Sequence, residues 1–222
     1  MLATVGFIVT GICFFVFAFT FHQIIVDKVH LKVDSFVYAY YALGLAFITW
    51  GIAAAINKQV SLNHSIIIGD ALLIIGTLFM FNVLLTKKYR FFIYPAIVLG
   101  AYLLYLRAAI YTPIPYMKGG LLIFNSQFSV ALILGILFIG IWLPGSVKVT
   151  FAITKKIHQD SIRNMYAYMY CTATFATLIF IAARRVLTVV ISFIAMGVCF
   201  AMLIGSNLLM GKLVEEKHAR AK

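Results

Sequence analysis

The stretch IIIGDALLIIGTLFMFNVLLT, residues 66–86, contains one charged side chain, Asp70, in 21 residues. A membrane-spanning helix needs about 20 mostly apolar residues, because a rise of about 1.5 Å per residue has to cover a hydrocarbon core about 30 Å thick. The stretch therefore predicts a transmembrane helix. Because an ionisable group inside a membrane is costly, Asp70 is expected to face the interior of a helix bundle.

The rest of the chain has the same composition. It has 222 residues, is 64% hydrophobic and is only 11% charged, with a mean hydropathy of +1.06; soluble domains carry about 25% charged residues. We therefore expect an all-α integral membrane protein, a single seven-transmembrane-helix bundle over residues 1–222. The predicted spans are about 2–25, 36–57, 66–86, 91–111, 128–147, 164–183 and 186–210.

The intervals between the spans carry polar and turn-forming residues. NKQVSLNHS (57–65), KKYR (87–90) and TPIPYMKGG (112–120) are expected to be loops. PGS (144–146) either ends the fifth span or kinks a helix that continues. A single helix over 166–210 would be about 67 Å long, far more than a bilayer, so the chain is expected to turn at Arg184 and Arg185.

Lysine and arginine are unevenly divided between the two sides of the predicted bundle. Of the 18 such residues, 13 fall in the odd-numbered loops and the C-terminal tail, and 5 fall on the other side. Because cytoplasmic loops are enriched in these residues, the N-terminus is predicted outside and the C-terminus in the cytoplasm, in a prokaryotic plasma membrane. The net charge of +12 then reflects membrane orientation, and no nucleic-acid partner is expected.

The sequence contains no recognisable catalytic constellation. The five histidines lie at span edges or in loops without metal-binding spacing, and Asp70 is the only carboxylate inside a predicted span, so acid–base chemistry has no candidate pair. Microbial rhodopsins hold retinal on a lysine of the seventh helix, whereas the seventh span here has none before Lys212. We expect no enzyme activity, no metal and no cofactor.

Asp34 and Asp160 each stand shortly before a Tyr-Ala-Tyr cluster at the predicted cytoplasmic side. The pair either marks an internal repeat of the first three spans or consists of two helix caps beside interfacial tyrosines.

Ionisable and hydroxyl residues define a candidate ligand site at the predicted outer side. Arg107, Arg184 and Arg185 exceed the one acid, Asp70, so convergence of these groups would favour an anion. Asp70 either pins helices together through an arginine or orients one arginine while another binds ligand. The candidate ligand-binding residues, with the hydroxyls that line a cavity below, are Asp70, Arg107, Arg184, Arg185, Thr177, Thr188 and Ser192.

Two functions follow from these patterns. The first is a non-enzymatic protein that binds or transports a small anionic solute or lipid headgroup from the outer face. The alternative is an accessory or structural subunit, or a homo-oligomer, whose polar residues serve only helix packing. The aromatic residues Trp50, Tyr105, Tyr111 and Tyr116 are expected either to line the site or to form an outer aromatic belt in contact with the lipid bilayer.

Overall fold

The computed structural model describes residues 2–25, 33–110, 114–118, 120–125, 136–137 and 140–149, and the positions 133, 198, 201, 204–205 and 208. The predicted span 164–183 lies outside these residues, as do most positions of 186–210, and 128–147 is described mainly over its second half. The count of seven spans and the N-out topology therefore stay predictions.

The described chain is mostly helical (89%). Its helices are α1 (Leu2–Ile25), α2 (Val33–Ile56), α3 (Gln59–Leu84), α4 (Ile93–Tyr105) and α5 (residues 140–149). A 3₁₀ turn, Lys87–Phe92, leads into α4, and a π-helical turn, Leu106–Ile110, follows it. Two strands, β1 (Tyr116–Lys118) and β2 (Leu121–Ile123), lie between α4 and α5.

Three helical stretches are long and apolar enough to cross a membrane, as an integral membrane protein requires. They are Asp34–Ile56, Gln59–Leu84 and Lys88–Ile110. We call the end of the bundle at Lys58 and Arg107 the outer end, and the end at Asp34 and Lys88 the cytoplasmic end, as the lysine and arginine count predicts.

Helices α1 and α2 pack against each other through aromatic rings along most of their length. The ring centroids are 5.9 Å apart for Phe7 and Phe47, 5.2 Å for Phe17 and Tyr40, and 4.7 Å for Phe21 and Phe36. Such pairs contribute about 0.5–1.5 kcal/mol each beyond the burial of their area. The backbones approach closely where a Cβ on Gly11 would lie 2.8 Å from the Gly44 carbonyl oxygen, so larger residues would separate the helices.

The connection from α2 to α3 is much shorter than the sequence predicts. Only Asn57 and Lys58 separate the helices, and Asn57 adopts a left-handed conformation (φ 50°) that asparagine tolerates. Helix α3 begins at Gln59, whose Nε2 donates to Asn63 Oδ1 at 2.9 Å, one turn further on. The expected loop at 57–65 is thus mostly a polar extension of the helix.

The sequence PGS (144–146) does not end the helix, because α5 continues through Pro144 and Gly145 to residue 149. Trp142 is 2% exposed, and its Nε1 donates to Thr77 Oγ1 of α3 at 2.9 Å. At the cytoplasmic end, Lys148 Nζ donates to the carbonyl oxygens of Val83 (2.7 Å) and Leu84 (3.1 Å). These carbonyls have no partner within a helix, so Lys148 completes the C-terminus of α3.

A β-hairpin begins within the expected loop at 112–120 and ends at Ile123. Strands β1 and β2 pair antiparallel, with Tyr116 opposite Ile123 and Lys118 opposite Leu121. The turn uses Gly120 at φ 77°, which residues with a Cβ rarely adopt. Leu122, Ile123 and Phe124 are buried, so the hairpin contributes to the core and is not a solvated connection.

Candidate functional site

A buried ion pair joins α3 to the π-helical turn that follows α4. Arg107 Nε donates to Asp70 Oδ2 at 2.8 Å, and both side chains are only 1% exposed. The pairing that the sequence leads us to expect between Asp70 and an arginine is therefore present, and Arg107 is the partner.

Helix direction explains how the two side chains meet. Side chains in a helix lean towards its N-terminus. Helix α3 begins at the outer end and α4 begins at the cytoplasmic end, so Asp70 leans outward and Arg107 leans inward. Asp70 lies 11 residues, about 16 Å, from the start of α3, whereas Arg107 is three residues from Ile110. Because α3 starts at Gln59 and not at the predicted residue 66, Asp70 lies deeper within its helix than the predicted span 66–86 implies.

The backbone at Arg107 is itself unusual. Residues Leu106–Ile110 form a π-helical turn, a rare conformation that occurs frequently at functional sites. Nothing in the apolar run around Arg107 signals this turn in the sequence.

Trp50 packs beside the ion pair and is fully buried. Its ring lies 5.2 Å from Phe47 and 4.8 Å from Phe124 of the hairpin segment, and a Cβ added to Gly69, the neighbour of Asp70, would collide with the indole. Of the two positions open to Trp50 in the sequence, beside the site or in an outer belt, its burial excludes the belt: Trp50 is 0% exposed and joins α2, α3 and the hairpin. By contrast, Tyr105 is 59% exposed and Tyr116 36%, while Tyr111 lies outside the described residues.

Two buried polar atoms of the described chain have no hydrogen-bond partner, Thr10 Oγ1 and Trp50 Nε1. An unsatisfied buried group costs about 1–3 kcal/mol. The Trp50 indole nitrogen lies against Gly69, where an added Cβ would collide with it.

The hairpin is held over the outer end of the bundle by a hydrogen bond. Gln59 Nε2, at the start of α3, donates to the Pro115 carbonyl oxygen at 2.9 Å. Together with the contact between Trp50 and Phe124, this bond places the hairpin next to the outer end of the bundle, close to which Arg107 lies.

A cavity of about 230 Å³ lies between α3, α4 and α5, on the cytoplasmic side of the ion pair. Its lining is apolar apart from Thr77 and includes Ile74, Gly100 and Leu103. Thr77 already accepts from Trp142 and donates to the Leu73 carbonyl oxygen at 2.7 Å. This cavity suits a hydrocarbon group and not an anion.

The remaining residues of the predicted site lie outside the described residues. They are Thr177, Arg184, Arg185, Thr188 and Ser192. Among the described residues, no group of three or more histidine, cysteine, aspartate or glutamate side chains is placed to hold a metal ion.

Comparisons with protein-family models, with curated proteins and with solved structures found no match.

Proposed function

We propose that the chain is a non-enzymatic membrane protein that binds or transports a small anionic solute or lipid headgroup at its outer end. The buried pair of Asp70 and Arg107 is the observation that carries this proposal. In this proposal Asp70 orients Arg107, and Arg184 and Arg185, which the sequence predicts at the outer side, supply further positive charge.

Stability alone is a poor reason for a buried ion pair. Removing two charges from water costs several kcal/mol per ion, and apolar replacements of similar volume are often neutral or stabilising by about 1–4 kcal/mol. Ionisable residues in membrane-spanning segments commonly mark ligand or ion pathways. The π-helical turn at Arg107 supports the same interpretation.

The sharpest test targets Arg185, because its replacement leaves the ion pair of Asp70 and Arg107 in place. Purified protein is titrated with acetate, succinate and inorganic phosphate, and binding is measured as thermal stabilisation, which grows with ligand concentration over Kd. We expect at least one of these anions to stabilise the wild type and Arg185→Ala to weaken that binding about tenfold, which corresponds to about 1.4 kcal/mol.

Lys58→Gln is the matched control, since it removes an exposed cation from the same end of the bundle. Binding by this variant should equal that of the wild type. If none of the three anions stabilises the wild type, or if Arg185→Ala binds as the wild type does, the proposal is wrong.

One observation favours the accessory-subunit function as a second candidate. Helix α4 exposes a continuous face on which Tyr94 is 70%, Val98 69%, Tyr102 55% and Tyr105 59% exposed. Because helical side chains lean towards the N-terminus, Tyr102 and Tyr105 direct their hydroxyls towards the middle of the span. A phenol at that depth is better accommodated by a protein partner than by lipid tails.

Photo-crosslinking distinguishes this second candidate. A photoreactive residue at position 98 should crosslink to protein in native membranes, whereas the same residue at Ile12 of α1, which is 50% exposed, should label lipid. Lipid adducts alone at both positions would exclude a protein partner on the α4 face.

A further inference from the structure

A second cavity, about 520 Å³ in volume, opens at the cytoplasmic end of the bundle. It lies between the start of α2, the end of α3 and the 3₁₀ turn that leads into α4. Its volume falls within the range of about 300–1,000 Å³ that is usual for small-molecule sites. Its lining includes Asp34, Ser35, Asn82, Arg90, Phe91 and Tyr94.

The cavity carries one acid and one base on different elements. Asp34, in the first turn of α2, has a side chain that is 76% exposed, and its Oδ1 is 3.6 Å from His22 Nε2. Arg90, at the end of the 3₁₀ turn, is exposed. Between them, Asn82 Nδ2 donates to Ser35 Oγ at 2.8 Å and joins α3 to α2. A ligand with a single charge would pair with only one of the two charged residues, Asp34 or Arg90.

The depth of the cavity is that of lipid headgroups. Asp34 is the first residue of the stretch Asp34–Ile56, and Arg90 is the third residue of Lys88–Ile110, two of the stretches that can cross a membrane. The charged residues therefore lie where hydrocarbon gives way to headgroups. Phe91 and Tyr94 are exposed at the same level, as is typical of aromatic side chains at a membrane interface.

We propose that this cavity binds a group that carries both a phosphate and a primary ammonium, as the headgroup of an ethanolamine phospholipid does. Arg90 donates to the phosphate oxygens, as guanidinium groups commonly do. Asp34 accepts hydrogen bonds from the ammonium, which choline cannot supply because it has no N–H. The site differs from the proposed outer anion site in residues, in position and in the charge of its ligand.

Lipid retention by the purified full-length chain tests the proposal. The protein is equilibrated with equal amounts of phosphatidylethanolamine, phosphatidylcholine and phosphatidylglycerol, and retained lipids are counted by native mass spectrometry. We expect the wild type to retain the ethanolamine lipid at least fivefold over the choline lipid. Asp34→Asn should abolish that preference, and Arg90→Gln should lower retention of the ethanolamine lipid about fivefold.

Lys88→Gln is the matched control, because Lys88 lies on the same 3₁₀ turn outside the cavity and has its Nζ 5.7 Å from the Tyr89 ring centroid. Its lipid retention should match the wild type. An equal effect of Lys88→Gln and Arg90→Gln would overturn the proposal, whereas equal retention of ethanolamine and choline lipids by the wild type would exclude the membrane lipid as the ligand.

A second experiment, with water-soluble ligands, distinguishes a membrane lipid from a soluble compound as the ligand. Phosphoethanolamine is added to lipid-depleted protein, and thermal stabilisation is compared with that from ethanolamine and from inorganic phosphate. Stabilisation by phosphoethanolamine without selective lipid retention assigns the site to a soluble zwitterion, and selective lipid retention without such stabilisation assigns it to the membrane lipid. The absence of both contradicts the proposal.

Discussion

Asp70 and Arg107 are both buried away from water, and the charge of each is neutralised by the other. We predict that Asp70→Asn and Arg107→Gln each lower the free energy of unfolding by about 3–5 kcal/mol, since either leaves a buried charge without its counter-ion. The double variant Asp70→Leu/Arg107→Met should be more stable than either single variant. Reversible unfolding in mixed micelles with increasing SDS measures all three. A double variant less stable than both single ones would contradict this account of the pair.

Thr10 and Thr77 offer a comparison between two buried hydroxyls in different hydrogen-bonding environments. Thr10 Oγ1 has no partner among the described residues, whereas Thr77 Oγ1 accepts from Trp142 and donates to the Leu73 carbonyl oxygen. We predict that Thr10→Val is neutral or stabilises by up to about 1 kcal/mol, while Thr77→Val destabilises by about 1–3 kcal/mol because the Trp142 N–H loses its acceptor. The same SDS titration compares them, and equal losses would refute the assigned hydrogen bonds.

At the level of elements, α5 stabilises the C-terminus of α3 through the side chain of Lys148. We predict that Lys148→Met destabilises the protein by about 1.5 kcal/mol, because the Val83 and Leu84 carbonyls lose a charged donor. Amide hydrogen exchange in the last turn of α3 should become faster. Lys88→Met, which removes an exposed lysine nearby, should change neither quantity; faster exchange in both variants would indicate a general charge effect.

The helices were predictable from the sequence to different degrees, for physical reasons. Helix α2 was expected at 36–57 and occupies Val33–Ile56; the agreement is close because the apolar run fills the helix apart from its first turn. Helix α3 starts seven residues before the predicted residue 66, since its first turns are polar and hydropathy does not detect a solvated helix. The hairpin at Tyr116–Ile123 was missed because three-residue strands leave almost no periodicity.

Of the candidate site, the ion pair of Asp70 and Arg107 was predictable in its members but not in its geometry. Asp70 and Arg107 are conspicuous because charges are rare in apolar spans. Which arginine Asp70 contacts depends on how the helices are rotated, and that rotation is set by packing at residues such as Gly69 and Trp50. The cytoplasmic cavity was missed because Asp34 and Arg90 are 56 positions apart in the sequence, and only the antiparallel course of α2, α3 and α4 brings them to one end.

The orientation of the whole molecule can be tested with two exposed lysines. Lys118 lies on the hairpin and Lys88 on the 3₁₀ turn. We predict that a cysteine at position 118 reacts with a membrane-impermeant maleimide on intact cells, and that a cysteine at position 88 reacts only after permeabilisation. The unmodified chain, whose three cysteines lie in apolar runs, serves as the background. The reverse pattern would place the N-terminus in the cytoplasm.

The buried ion pair also has a consequence for biosynthesis. Asp70 precedes Arg107 by 37 residues in the chain, so α3 reaches the translocon before its counter-ion does. A lone aspartate at the centre of a span raises the free energy of insertion by about 2.5–3.5 kcal/mol. The charge of Asp70 is therefore paired only when α3 and α4 are both present. We expect the two helices to leave the translocon together.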